Sequence, residues 1–288
     1  MEFASLEDLT ARADTLGTGP VLALLCEDGV ELASSLEHHL ALGFAAIVLA
    51  LAPGVPLPAP LPDRVHPLRL DRRPDDLAPV VVNALLAGRP AGAWTGWCYN
   101  AEFLHTPFCE TRPVGAALAF CAEERRDHLI AVLADLYPAD LTAHPGGVDR
   151  ESAMLDARGY YALGRWDPAL RAEKPRQVDI HGGLRWRFEE HVPWTRRRID
   201  RVALMRARPG LRLLPDHRVS VEEMNTIQCE WHHSMTACIT SFRAAKALAT
   251  NPGSRAAIRG FRWDGSVPFT GGAQQLMELG LMEPGQWF

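Results

Sequence analysis

The chain has 288 residues, 47% hydrophobic and 23% charged with a net charge of −5, which is enough apolar content for a real core and excludes intrinsic disorder. Met1 to Leu16 is acidic and amphipathic, and the apolar run Val21 to Cys26 is too short for a signal peptide or a membrane span. A cytoplasmic protein without a transmembrane segment is expected, and the acidic balance with no base-reading motif argues against nucleic acid.

Pro20 to Cys26 is a continuous apolar run between Gly19 and Gly29, the pattern of a buried parallel strand. Leu32, Leu36, Leu40 and Leu42 then recur at helical spacing until Gly43, and Ala45 to Leu51 is a second buried strand closed by Pro53-Gly54. A strand, a helix and a strand with short connections make a βαβ unit, so the chain opens as α/β. From Pro53 to Pro90 there are nine prolines in 38 residues, leaving room for a strand over Val65 to Leu70 and a helix over Asp75 to Leu86. A strand over Ala93 to Tyr99, a turn at Thr106-Pro107 and a helix over Gly115 to Glu124 follow. Leu129 to Leu136 fits either a strand or a helix. Alternation in Leu184 to Phe188, Val202 to Met205 and Leu211 to Leu214 predicts added β-structure, and Ser220 with Glu222-Glu223 predicts a helix start. A long helix is expected through Ser241 to Ala249, up to Asn251-Pro252-Gly253. These elements divide into a core over 1–218 and a C-terminal helical extension over 219–288, packed as one compact unit.

The six cysteines form no C-x-x-C and no paired spacing, so small buried thiols are expected rather than structural zinc or a disulfide framework. Of the basic residues 28 are Arg and two, Lys174 and Lys246, are Lys, a bias of the kind expected from the codon usage of a GC-rich, bacterial source. The distribution of charge is more informative than its total: 171–218 carries +7, 1–170 carries −11 and 219–288 carries −1. Such a basic segment either meets an anionic ligand, a nucleotide diphosphate for example, or neutralises the acidic half.

The stretch Cys26-Glu-Asp-Gly-Val-Glu-Leu-Ala-Ser-Ser-Leu-Glu-His-His-Leu-Ala-Leu-Gly-Phe44 resembles the opening of a branch of the family 2 glycosyltransferases. Four further landmarks follow in the same order. Tyr99-Asn-Ala-Glu-Phe-Leu104 stands where that branch has Asp-x-Asp-Glu-Phe-Leu, and Ala134-Asp-Leu-Tyr-Pro138 resembles its Asp-Met-Tyr-Pro. His181-Gly-Gly-Leu-Arg185 resembles its Gly-Gly-x-Arg turn, and Gln274 to Met282 its terminal Gln-Leu-x-x-x-Gly-Leu-Met. The resemblance implies a GT-A-like fold, a mostly parallel central sheet flanked by helices with added β-structure and C-terminal helices, and a nucleotide sugar bound beyond the carboxyl ends of the strands. It implies donor contacts from Glu27, Asp28, Tyr99 and Asn100, and a Mn²⁺ or Mg²⁺ ion at the Asp-x-Asp loop to neutralise the diphosphate. The acceptor would be a glycan or another acceptor, activated by a separate carboxylate or His as general base.

This chain departs from that pattern at the metal loop. Tyr99 and Ala101 replace both aspartates, and neither offers a hard anionic ligand at neutral pH. Glu102 is the remaining carboxylate, a candidate metal ligand or base whose plainer role is to hold the loop. His217 and His232 are candidates for acid/base or ligand roles, with core packing as the plainer role, while His38 and His39 read as packing residues. Arg185, Arg187 and Arg201 could instead stabilise a departing diphosphate, because guanidinium binds phosphate through a bidentate fork. Two functions stay open: a glycosyltransferase with weakened or lost metal dependence, and a pseudo-glycosyltransferase binding a glycan, a nucleotide, a protein partner or a second copy of itself.

Overall fold

The computed structural model describes residues 1–227 and 234–287. It is mixed α/β, and the chain divides into two compact units, one of Met1–Leu104, Cys109–Ile130 and Arg201–Asn225, the other of His105–Phe108, Ala131–Asp200 and Thr226–Phe288.

A short helix, α1 (Leu6–Arg12), opens the first unit, its N-terminus capped by the Ser5 hydroxyl, which accepts from the Asp8 amide at 3.1 Å. β1 (Val21–Cys26) and β2 (Ala46–Leu51) follow the two apolar runs, and every residue of both is buried. Parallel strands covered on both faces require that, and each fully buried Leu or Ile contributes about 1.5–3 kcal/mol. Helix α2 (Leu32–Ala41) crosses between them. β3 (Val65–Arg69) is an edge strand, which explains why it tolerates Pro67: the missing amide costs least at an edge, and the Pro67 carbonyl accepts from Phe3 at 2.8 Å. Helix α3 (Leu77–Gly88) leads into β4 (Trp94–Tyr99), β5 (Glu102–His105) and α4 (Val114–Glu123). β1 pairs in parallel with both β2 and β4, giving the order β3-β2-β1-β4.

β6 (His128–Asp135) is buried along its whole length, which settles as strand the segment that periodicity left open. It is followed by β7 (Tyr137–Pro138), β8 (Ala153–Asp156), the hairpin of β9 (Tyr161–Asp167) and β10 (Ala172–His181), and helix α5 (Gly183–Arg187). The alternating Leu184 to Phe188 is therefore a helical turn and not a strand. Left-handed Gly183 breaks the extended chain, and Leu184 and Phe188 share a face at i, i+4, with the Phe188 amide donating to the Leu184 carbonyl at 3.0 Å. β11 (Asp200–Arg206) returns to the first unit and pairs antiparallel to β4. Its Leu204 side chain lies where a Cβ on Gly96 would come within 3.2 Å, so β4 carries glycine where the two strands approach closely.

The C-terminal segment is less helical than expected. Glu222–Asn225 is a single 3-10 turn, and the apolar Ala237–Ser241 forms strand β12, parallel to β6, ahead of the shorter helix α6 (Arg243–Thr250). Leu211 to Leu214 makes one isolated bridge, Leu213 to Val219. β13 (Ser266–Pro268) completes an antiparallel sheet with β8 and β7, and α7 (Ala273–Glu278) follows. Tyr137, Met154, Leu184, Ala245, Leu248, Ile258 and Phe261 form a core of the second unit. Among the described residues no helix is long and apolar enough to cross a membrane.

Candidate functional site

In the first unit the strand order reverses direction between β1 and β4, and in open α/β sheets the crevice at such a point, beyond the carboxyl ends of the strands, is where ligands bind. The loops that meet there are Glu27-Asp28 and Tyr99–Glu102. Asn100, fully buried, clasps them together. Its side-chain oxygen accepts from the Glu27 amide at 3.0 Å, and its nitrogen donates to Asp28 Oδ1 at 2.7 Å and to the Val30 carbonyl at 2.9 Å. Asp28 Oδ1 also accepts from the Val30 amide at 3.0 Å, and Glu27 is ion-paired with Arg73. The four expected donor contacts, Glu27, Asp28, Tyr99 and Asn100, are thus brought to one place, with Asn100 acting on the loop itself. The Tyr99 ring is buried against Trp97, centroids 6.0 Å apart.

Glu102 follows Ala101, which is held in the left-handed region at φ 59° while its amide donates to Ser35 Oγ at 3.0 Å. That turn points the Glu102 carboxylate inward. Oε2 accepts from the Tyr99 amide at 2.9 Å and from Arg201 Nη2 at 2.6 Å, and Oε1 accepts from Arg201 Nη1 at 3.4 Å. Both side chains are essentially excluded from solvent, at 0% and 2% exposure, and the guanidinium lies 3.9 Å over the Trp97 ring. Trp97 is anchored through its indole N–H to the Val202 carbonyl, and the His217 ring packs edge-on against it at 4.8 Å. His39 is buried, donating from Nδ1 to the Ser35 carbonyl and accepting at Nε2 from the Leu104 amide; burial pushes its pKa down to about 3. His38 donates to the Leu104 carbonyl at 2.7 Å, so both histidines are the packing residues expected.

This donor set does not fit a divalent cation. The one carboxylate of the loop is already neutralised by a guanidinium, Tyr99 and Ala101 supply no anionic oxygen, and among the described residues no group of three or more His, Cys, Asp or Glu is placed to hold a metal.

The second unit holds two aspartates at 1% exposure each, Asp135 at the end of β6 and Asp156 at the end of β8. Asp156 accepts from Arg187 Nε at 2.8 Å, Arg187 Nη2 at 3.2 Å, the Tyr137 hydroxyl at 2.5 Å and the Trp263 indole N–H at 2.8 Å. Asp135 Oδ2 accepts from the Leu184 amide at 3.0 Å, and Arg185 faces the other oxygen with its Nε 3.8 Å from Oδ1. Burial raises the Asp135 pKa to about 6; Arg185 opposes the rise and Asp156 adds to it. The hydroxyl of Tyr160 is buried without a partner.

No family model, no curated protein and no solved structure matches the chain. The three candidate arginines are not gathered at one site: Arg201 belongs to the first unit, Arg185 and Arg187 to the second, and each faces a carboxylate. His217 stands in a turn of the first unit at φ 64°, and His232 lies outside the described residues. Cys26, Cys98, Cys109, Cys121 and Cys238 form no disulfide, four of them are buried, and burial holds Cys98 up to about 12. Sequence reasoning missed Trp97, Asp156 and Tyr160 altogether. Asp135 and Gly183 lie inside the Ala134–Pro138 and His181–Arg185 landmarks, a signal that marked them without giving them a role.

Proposed function

We propose that this chain is a GT-A-like protein that binds a nucleotide sugar at the β1/β4 crevice without a divalent cation at the Tyr99–Glu102 loop. The observation that carries the reading is the buried Glu102–Arg201 pair, in which a guanidinium stands against the one carboxylate left at the loop where the family resemblance implies a metal ion. The strand order β3-β2-β1-β4, with its reversal at the clasped Glu27-Asp28 turn, supports a nucleotide in that crevice. The reading follows a transferase of nucleotide sugar to a glycan or similar acceptor, with metal dependence lost. A second reading, a binding module that has given up transfer, is favoured by the engagement of Glu102 and Arg201 with each other.

Thermal shift with UDP, GDP and CMP, each with and without Mn²⁺, tests the proposal. A nucleotide at about 100 times its dissociation constant stabilises by about 2.7 kcal/mol. At least one nucleotide should raise the melting temperature equally with and without Mn²⁺. No shift with any nucleotide refutes nucleotide binding, and a Mn²⁺-dependent shift abolished in Glu102→Gln refutes the metal-free site. Release of sugar to an acceptor separates the transferase from the binding module.

A further inference from the structure

Of the eight large apolar side chains exposed among the described residues, five belong to one place in the second unit: Tyr161, Leu163 and Trp166 on β9, Leu170 in the turn after it, and Trp194. Trp194 belongs there because the His181 ring is stacked between it and Tyr161, with centroids 5.3 Å apart on each side and planes within 18°. The stack fixes these rings before any partner arrives, so little rotamer freedom is left to lose on binding. At about 200 Å² for each fully exposed side chain, the five present about 550 Å² to solvent. That much apolar surface on one hairpin marks an interaction site.

The same hairpin carries an unguarded strand edge. β9 forms a two-stranded sheet with β10, whose own outer edge is engaged: the Ile180 carbonyl accepts from the Ile199 amide at 2.8 Å and the Arg176 carbonyl from the Ile227 amide at 3.2 Å. Edge strands elsewhere are blunted, β3 by Pro67 and β13 by its three-residue length and Pro268. β9 has seven residues and no proline, and the register irregularity of the hairpin falls on β10 between Glu173 and Val178. Its one cation does not guard it either. Arg165 is turned back onto the hairpin, donating to Asp179 Oδ1 at 3.1 Å and to the Val178 carbonyl at 3.0 Å.

We propose that β9 pairs antiparallel with the β9 of a second copy of this chain, across a twofold axis at Gly164, joining two hairpins into one four-stranded sheet. The sequence of β9 is complementary to itself in that register. Ala162 lies opposite the partner's Trp166 and Gly164 opposite the partner's Gly164, so each indole has small residues to cover, and Tyr161 lies opposite the partner's Asp167, a phenol facing a carboxylate. Charge points the same way. Residues 161–181 hold four basic and three acidic side chains, a near balance that lets one hairpin approach another, whereas an anionic membrane or a nucleic acid calls for a cationic excess. Two faces of about 550 Å², with the two strand edges between them, reach about 1,200 Å², where specific interfaces begin. A twofold contact of this kind closes at two copies. It uses residues of the second unit alone and is independent of nucleotide binding in the first.

Sedimentation velocity of the full chain across a concentration series tests this. A dimer should form with a dissociation constant of about 10 µM or below. Leu163→Lys and Trp166→Lys should each weaken it at least about tenfold, because a lysine on an edge strand opposes pairing. Urea unfolding of both variants should follow the parent, since both side chains are exposed. Mixed under mild oxidation, Ala162→Cys and Trp166→Cys chains should cross-link to each other in preference to themselves, which reads out the antiparallel register. A chain that stays monomeric at about 100 µM, a dimer indifferent to both lysine variants, or a dimer without the selective cross-link overturns the proposal. So does a monomer that co-sediments with phosphatidylglycerol vesicles, which would give the hairpin to a membrane surface.

Discussion

Replacing Asp135 by Asn should stabilise the protein above neutral pH and leave it unchanged in mild acid. The carboxyl is 1% exposed, so solvent screens it little, and burial raises its pKa from 3.8 to about 6. Between those two values the folded protein holds a proton that the unfolded chain has already released. Stability contributed by this group is therefore full below 3.8 and falls as pH rises through about 6. At about 1.4 kcal/mol for each pH unit of displacement, ionised Asp135 costs about 3 kcal/mol at about pH 8. Asn keeps an oxygen for the Leu184 amide and carries no charge to desolvate. Urea denaturation of parent and variant at about pH 4 and about pH 8 measures the difference, which should grow from near zero to about 3 kcal/mol in favour of the variant. An equal effect at both pH values, or a loss of stability at the higher one, would refute the account of Asp135 as a carboxylate whose ionisation burial opposes.

Glu102→Ala leaves the Arg201 guanidinium buried without its counter-ion and should cost about 3–5 kcal/mol, while the double variant Glu102→Leu with Arg201→Met should recover most of that in the same denaturation assay. Asn100→Ala removes the clasp on the Glu27 amide, Asp28 and the Val30 carbonyl. A loss of about 3 kcal/mol is expected, along with a smaller nucleotide-induced thermal shift. His39 is held neutral in the fold, its pKa down from 6.5 to about 3, so the unfolded chain takes up the proton first and stability should drain away as pH falls below 6.5. The slope of stability against pH over that window, measured in the Asp135→Asn background to remove the opposing contribution, should flatten in His39→Gln. An unchanged slope would assign the acid sensitivity elsewhere.

The first unit is legible in the sequence wherever burial is continuous. Val21–Cys26 and Ala46–Leu51 have no polar residue, so their strand character survives any register, and Gly43 stops the helix between them. That the Glu27-Asp28 and Tyr99–Glu102 loops share one place is legible too, through the order of landmarks. What periodicity misreads is Leu184 to Phe188, where five residues satisfy a two-residue and a four-residue repeat equally, and the backbone conformation of Gly183 decides between them. Ala237–Ser241 is hidden for another reason: its strand character comes from the partner it finds in β6, more than a hundred residues earlier. The charge partners are less legible still. Nothing near Arg201 in the chain names Glu102, and nothing near Asp156 names Trp263, because ion pairs and indole bonds are set by packing and leave no spacing to read.

The pairing of Glu102 with Arg201 also constrains how the protein is made. Its two halves are 99 residues apart, and the intervening chain belongs largely to the other unit. During synthesis β1 to β4 emerge early, but Glu102 has no counter-ion until β11 has left the ribosome. The first unit therefore cannot reach its final, charge-compensated state as an N-terminal fragment, and closing so long a loop is entropically slow. A truncated chain ending before Asp200 would have to keep Glu102 solvated or protonated, with the carboxyl ends of β1 and β4 unsealed. Completion of the ion pair is in that sense a checkpoint, passed only once Arg201 has been translated.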